Sequence, residues 1–307
     1  MSAYELTFPL IPRRRLVGLA FGAMHSARRG MGSDVAGSRP YLPGDDVDQI
    51  DWAASARLSS ARNSDEFVVR ERYADEAPRV VVVCDRRPEM ELFPPELPFL
   101  SKKTAMHEAA EIVAESTIKA RGFVGYLDFA DGEPFWQPPG SKQAFWHVRE
   151  RDAEADRYDA PRDTLARAFE YLSRLRASVP AGTFVFVVSD FLAPPHEEVW
   201  ADAIERRWDL VPVVVQDPVW EQSFPDVASV LVPVADPATG RLRLIRLSED
   251  EVAARRREHE ERYERILEGF RRLGLEPIRI SATDREEVHR AFLDWSDERR
   301  YARGRAL

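Results

Sequence analysis

A chain of 307 residues with 44% apolar and 32% charged side chains, 15 glycines and 22 prolines reads as folded, with room for about two domains or one large α/β domain and an appendage. Its 44 basic and 53 acidic residues leave a net charge of −9, which opposes generic binding to nucleic acid or anionic lipid. A single cysteine, Cys84, excludes an internal disulfide and any zinc site built on paired thiolates, and it fits a reducing, cytoplasmic compartment.

Residues 1–78 show neither a helical nor a strand period, because Pro9, Pro12, Pro40, Pro43 and a series of glycines interrupt every run. They read as an irregular N-terminal motif segment. The apolar stretch within it, residues 16–24, has nine residues against about 20 needed to span a bilayer, so no membrane span is expected. Arg28 and Arg29 follow that stretch after three residues and no A-x-A site adjoins it, so Arg13, Arg14 and Arg15 are not read as an export signal.

From Arg79 onward, apolar runs alternate with amphipathic segments, the pattern of βαβ units around a largely parallel sheet, and residues 79–307 are expected to form one doubly wound α/β domain. The run RVVVVC at 79–84 predicts a strand buried on both faces. A helix over 101–121 follows, with Gly122 as its stop, and then a strand over 123–129. Residues 131–160 read as a short hairpin plus surface loop. Asp163 is expected to cap a helix carrying Leu165, Phe169 and Leu172 on one face. A strand at 183–189, a helix at 196–208 and a strand at 210–216 complete the middle of the domain. Residues 230–246, with the turn DPATG at 236–240, predict a hairpin at the sheet edge. Ser248 with Glu251 and Thr283 with Glu286 fit the capping box, placing helix starts near 249 and 284 around a strand at 275–281. The first of these helices, 249–272, holds eight acidic and seven basic residues and reads as a solvated face or a partner-docking helix.

Several enzyme classes fall with their motifs. No lysine follows a glycine, so the Walker P-loop is absent, and no GxSxG elbow exists. The His-Glu pairs at His107, His196 and His259 lack the second histidine of HExxH, which is Glu111, Trp200 and Tyr263 in turn. Three strands do end in an aspartate: Asp85, Asp190 and Asp217. At the carboxyl ends of a parallel sheet such acids are placed as Mg²⁺ or Mn²⁺ ligands, and a metal-dependent phosphoester hydrolase is the enzyme they would build. Read plainly, the same acids cap turns. A haloacid-dehalogenase motif needs an aspartate two residues after Asp85, where Arg87 stands.

The hydrophobic strand before Asp85, Met90 five positions on, Thr164 at a helix start and Ser189-Asp190 after a later strand together resemble the von Willebrand factor A (vWA) domain. The resemblance implies a doubly wound sheet and a metal-ion-dependent adhesion site, built from DxSxS, a threonine and a later aspartate, whose counterparts by position are Asp85, Thr164 and Asp190. The two serines are Arg87 and Glu89 here. A guanidinium cannot ligate a cation, so Arg87 is expected to pair with Asp85 or Asp190 and to close a degenerate site, Mg²⁺ being the one cofactor the resemblance brings in.

The N-terminal segment GAMHSARRGMGSDVAGSRPYLPGDDVDQIDWAASAR, residues 22–57, resembles the bacterial domain-of-unknown-function family fifty-eight, whose members share a GxxxS…GxG…R-x-Y-x-PGDD-x-R-x-IDW-x-x-SAR segment. Arg39, Tyr41, Gly44, Asp45, Asp46, Asp51, Trp52 and Arg57 carry the match, while Asp48 stands where the family has arginine and Asp34-Val35 where it usually has Glu-Phe. The resemblance implies a non-enzymatic adaptor that works with a MoxR-type AAA+ ATPase in a maturation or chaperone-like system. Many relatives carry membrane helices upstream of the motif. The residues also have a purely structural reading, in which Pro43-Gly44 turns, Asp45 or Asp46 caps the residues after it, and Tyr41, Ile50 and Trp52 anchor the segment onto the sheet domain. A calcium loop would need an acid at Ile50 with a glycine after it.

Overall fold

The computed structural model describes residues 6–13, 35–41, 50–62, 67–72, 77–92, 99–142, 146–147, 149–151, 157–235 and 241–304. Residues Val17–Ala77 form a unit of their own. Within it, strand β1 (Val35–Pro40) pairs antiparallel with β2 (Val68–Arg72), and helix α1 (Trp52–Arg62) lies between them in sequence. Asp51 starts that helix: its Oδ1 accepts from the Ala54 N–H at 3.0 Å, satisfying a donor that the first turn leaves unpaired. Ser55 donates to the Asp51 carbonyl and accepts from the Val68 N–H at 2.8 Å, which ties α1 to β2.

Met1–Leu16 and Pro78–Leu307 form the second unit. In chain order it runs β3 (Arg79–Cys84), α2 (Lys102–Lys119), β4 (Phe123–Asp128), β5 (Phe135–Gly140), α3 (Thr164–Arg174), β6 (Phe184–Ser189), α4 (Glu197–Glu205), β7 (Asp209–Val215), β8 (Leu231–Ala235), β9 (Leu242–Arg246), α5 (Glu249–Arg272), β10 (Ile278–Ile280) and α6 (Arg285–Gly304). A six-stranded sheet has the order β10-β7-β6-β3-β4-β5, and every neighbouring pair is parallel except β4 with β5. Counting this sheet's strands from its first, the order is 3-2-1-4-5-6 when read from β5's side, so the direction of winding reverses between β3 and β6. The crevice outside the carboxyl ends of those two strands is where such folds place ligands.

Period-two alternation explains both faces of the sheet. Val80 and Val82 point into a core with Met106 of α2 and Phe292 of α6, whereas Val81 and Val83 meet Phe169, Trp200 and Phe270 from α3, α4 and α5. The result is the doubly wound, mostly parallel α/β architecture expected from the sequence. Phe8 belongs to this unit. Its ring stacks on Phe292 at 4.7 Å and its N–H donates to Ser116 Oγ at 3.0 Å, so residues 6–13 close the outer side of the core.

Four local expectations are corrected. The 230–246 hairpin forms, as β8 and β9, but as a separate two-stranded sheet, since β5 and β10 already hold the edges of the large one. Its turn at 236–240 lies outside the described residues. Helix α2 ends in a Schellman motif in which Arg121, at φ 56°, takes the left-handed position, while the Arg121 and Gly122 N–H groups donate to Ile118 O and Thr117 O. Gly122 answers a different demand, because a Cβ there would lie 2.5 Å from the Pro78 carbonyl oxygen. Asp163 makes no side-chain cap to α3 and instead pairs with Arg167 one turn on, at 2.8 Å. At α6, Asp284 Oδ1 accepts from the Glu286 and Glu287 N–H groups, and Thr283 Oγ1 turns away to accept from the Ser101 N–H. The capping box at Ser248 and Glu251 is present.

Candidate functional site

β3 and β6 bring Asp85 and Asp190 side by side at the winding reversal, and the register carries one step beyond β3 through Asp85 N–H to Val188 O at 3.0 Å. Both carboxylates are fully buried. Between them lies Arg87, whose Nη2 is 2.6 Å from Asp85 Oδ2 and 2.8 Å from Asp190 Oδ1. Its Nε and backbone N–H both reach Asp85 Oδ1 at 3.0 Å, so one arginine grips Asp85 from two directions. Ser189 Oγ donates to Asp85 Oδ2 at 2.7 Å and accepts from the Phe191 N–H.

The chain of charges continues past Asp190. Lys102, the first residue of α2, puts Nζ 2.9 Å from Asp190 Oδ2 and 2.6 Å from Glu221 Oε1. Anion and cation thus alternate from Asp85 through Arg87, Asp190 and Lys102 to Glu221. The remaining Glu221 oxygen accepts from the Asp217 N–H at 2.9 Å. Asp217 itself accepts from the backbone N–H groups of Leu100, Val219 and Trp220, so it caps a turn. Gln216 donates to the Asp190 carbonyl from the end of β7.

Burial is the largest influence on each ionisable member, and the neighbours decide the outcome. Burial raises the Asp85 carboxyl above its ordinary value against the pull of Arg87, and it raises Glu221 against Lys102. At Asp190, Lys102 and Arg87 together overcome burial and hold the carboxyl below the usual carboxylate range. Burial works against the charges of Lys102 and Arg87 too, but their carboxylate neighbours outweigh it and keep both cationic.

These residues do not fit a divalent cation. Mg²⁺ demands several oxygen ligands in near-octahedral array, yet the oxygens of Asp85 and Asp190 that face one another are filled by guanidinium, ammonium and hydroxyl donors. An added ion would also meet two buried positive charges at contact distance. Thr164, the third residue matched by position, opens α3 and donates its N–H to Pro161 O; among the described residues no hydrogen bond joins its hydroxyl to Asp85 or Asp190. The hydrolase set of Asp85, Asp190 and Asp217 is not assembled around a common point, since two of its members share Arg87 and the third holds backbone.

Lys102 and Glu221 are site residues that sequence reasoning missed. One signal was available for Lys102: a lysine at the first position of a helix sits against the positive end of the helix dipole, a placement that needs a compensating acid.

The N-terminal motif residues lie in the Val17–Ala77 unit. Arg39 sits in β1 opposite Val69, and the Tyr41 N–H donates to Phe67 O at 2.8 Å. Tyr41 and Trp52 both pack edge-on against the Phe67 ring, and Trp52 remains 60% exposed. Asp51 caps α1, and Arg57 Nε donates to the Ala53 carbonyl. Gly44, Asp45 and Asp46 lie outside the described residues, as do Pro43 and Asp48. Among the described residues, no helix is long and apolar enough to cross a membrane.

Over residues 37–265 the chain matches the model of a family described as protein of unknown function DUF58. Uncharacterized proteins of Mycobacterium bovis and Mycobacterium tuberculosis are each 23% identical to it over 251 residues, 78% of this chain and 73% of theirs. Among solved structures, the conserved hypothetical protein BatB from Bacteroides thetaiotaomicron aligns at 13% identity and a TM-score of 0.40, covering 72% of this chain and 99% of that one. An aerotolerance-related membrane protein from Bacteroides fragilis aligns at 13% identity and a TM-score of 0.42 over the same shares.

Proposed function

The chain belongs to the DUF58 family, and from that premise we propose that it is a non-enzymatic, cytoplasmic interaction module of the vWA type that engages its partner without a metal ion. The partner we propose is a MoxR-type AAA+ ATPase, for which the support is the PGDD–IDW motif resemblance alone. Metal independence is supported by one observation: Arg87 and Lys102 stand where a divalent ion would have to stand, and together carry its charge. With Asp85 and Asp190 paired to internal cations and Asp217 holding backbone, the crevice holds loops in place rather than presenting a reactive centre.

The experiment is binding of the whole protein to a nucleotide-free MoxR-type ATPase, measured by biolayer interferometry in EDTA and again in millimolar Mg²⁺. Equal affinity in the two buffers is the expected result. No binding in either buffer removes the ATPase as partner, and binding confined to Mg²⁺ removes the metal-free reading.

A further inference from the structure

The β8–β9 ribbon is apolar on both sides. Inward, Val232 is buried and its cross-strand partner Ile245 packs against Phe224, Leu247 and Val252. Outward, Leu231, Leu242 and Leu244 are 53%, 72% and 68% exposed. Three leucines on one face of a two-stranded sheet are the half of a sandwich that lacks its second layer, and a patch of that kind marks a contact surface. The ribbon also has an open edge, because the outer side of β9 pairs with no strand among the described residues, and β9 contains no proline.

Charge identifies the occupant. Arg241, Arg243 and Arg246 are all exposed, and residues 230–235 and 241–247 contain no acidic side chain, in a chain whose net charge is −9. We propose that β9 accepts an extended segment of a partner protein as a third strand, one that alternates apolar with acidic residues. Its apolar side chains lie beside Leu242 and Leu244, and its acidic ones, on the opposite face, lie beside Arg243, as cross-strand neighbours do. A second copy of this chain would set arginines against arginines. A bilayer would cover the leucines but leave the N–H and C=O groups of the β9 edge without partners. This surface is separate from the Asp85–Asp190 crevice and does not depend on which ATPase, if any, the protein serves.

The test uses the full chain and a fluorescein-labelled peptide of alternating glutamate and valine, read by fluorescence anisotropy. Saturable binding is expected, weakened about tenfold or more by L244S and by R243E, and lost when the peptide's backbone is N-methylated at alternate residues. The N-methyl arm leaves the protein untouched, so it holds even if a substitution disturbs the hairpin. Absence of saturable binding, or binding indifferent to N-methylation, overturns the proposal. So does L244-dependent binding to phosphatidylglycerol vesicles without peptide binding, which would make the occupant a membrane, or an L244-dependent dimer in sedimentation velocity, which would make it a second copy.

Discussion

Arg87 Nη2 donates to Asp190 Oδ1 at 2.8 Å across 103 residues of sequence, joining the end of β3 to the end of β6. Because the same nitrogen also holds Asp85, Arg87→Ala leaves two fully buried carboxylates facing each other. Breaking a buried pair in this way costs about 3–5 kcal/mol, against less for Asp85→Asn, which leaves Arg87 on Asp190. Urea denaturation of the two variants checks the order. An Arg87→Ala protein no less stable than Asp85→Asn would mean that the guanidinium does not bridge the strands.

The same contact decides the response to metals. Occupancy at 100 times the dissociation constant would stabilise the fold by about 2.7 kcal/mol, a readily measured shift in Tm. Millimolar Mg²⁺ or Mn²⁺ is expected to leave the Tm of the wild-type protein where it is. In the double variant Arg87→Ser, Lys102→Ala the oxygens of Asp85, Ser189, Asp190 and Glu221 lose their cations, and a metal-dependent rise is expected. A rise in the wild type instead would sink the metal-free reading.

The range of each interaction sets how legible it was in the sequence. The sheet was legible because four valines between Arg79 and Cys84 leave no polar face, and Asp85 with Arg87 was legible because one residue separates the two. Lys102 was not, since its partners lie 88 and 119 residues away and only the fold brings them together. Local competition hid other features. Thr283 and Asp284 are both good cap residues, and the choice fell to Asp284 because Thr283 is engaged by Ser101, the residue that caps α2. Gly122 masked the left-handed Arg121 beside it, as a glycine is the usual occupant of that position.

Phe8 illustrates a core residue with no local pattern, lying beside Pro9 in a segment without secondary structure. It is nonetheless buried against Phe292, Phe186 and Trp295, with ring centroids 4.7, 6.2 and 5.9 Å away. Phe8→Ala is expected to cost about 3–5 kcal/mol by transfer and cavity terms together. Calorimetry checks this, and a change below about 1 kcal/mol, the scale of a surface substitution, would show that residues 6–13 do not contribute to the core.

His259 on α5 fastens the loop that carries Asp217 and Glu221. Its Nδ1 lies 3.0 Å from Trp220 O and 2.9 Å from Ser223 O, two acceptors that assign the proton to Nδ1 and leave Nε2 to titrate. Burial, with the positive charge of Arg262 beside it, holds the ring below its ordinary value of 6.5, while the two carbonyls and Glu258 pull the other way. The unfolded chain therefore takes up this proton at a higher pH than the folded one. The contribution of the neutral ring to stability is full above about pH 6.5 and declines as the pH falls toward the folded value. Tm measured from pH 7.5 down to 5.5 should drop more steeply in the wild type than in His259→Gln, which keeps a donor for the carbonyls but cannot titrate. Parallel curves would remove His259 as the source of that slope.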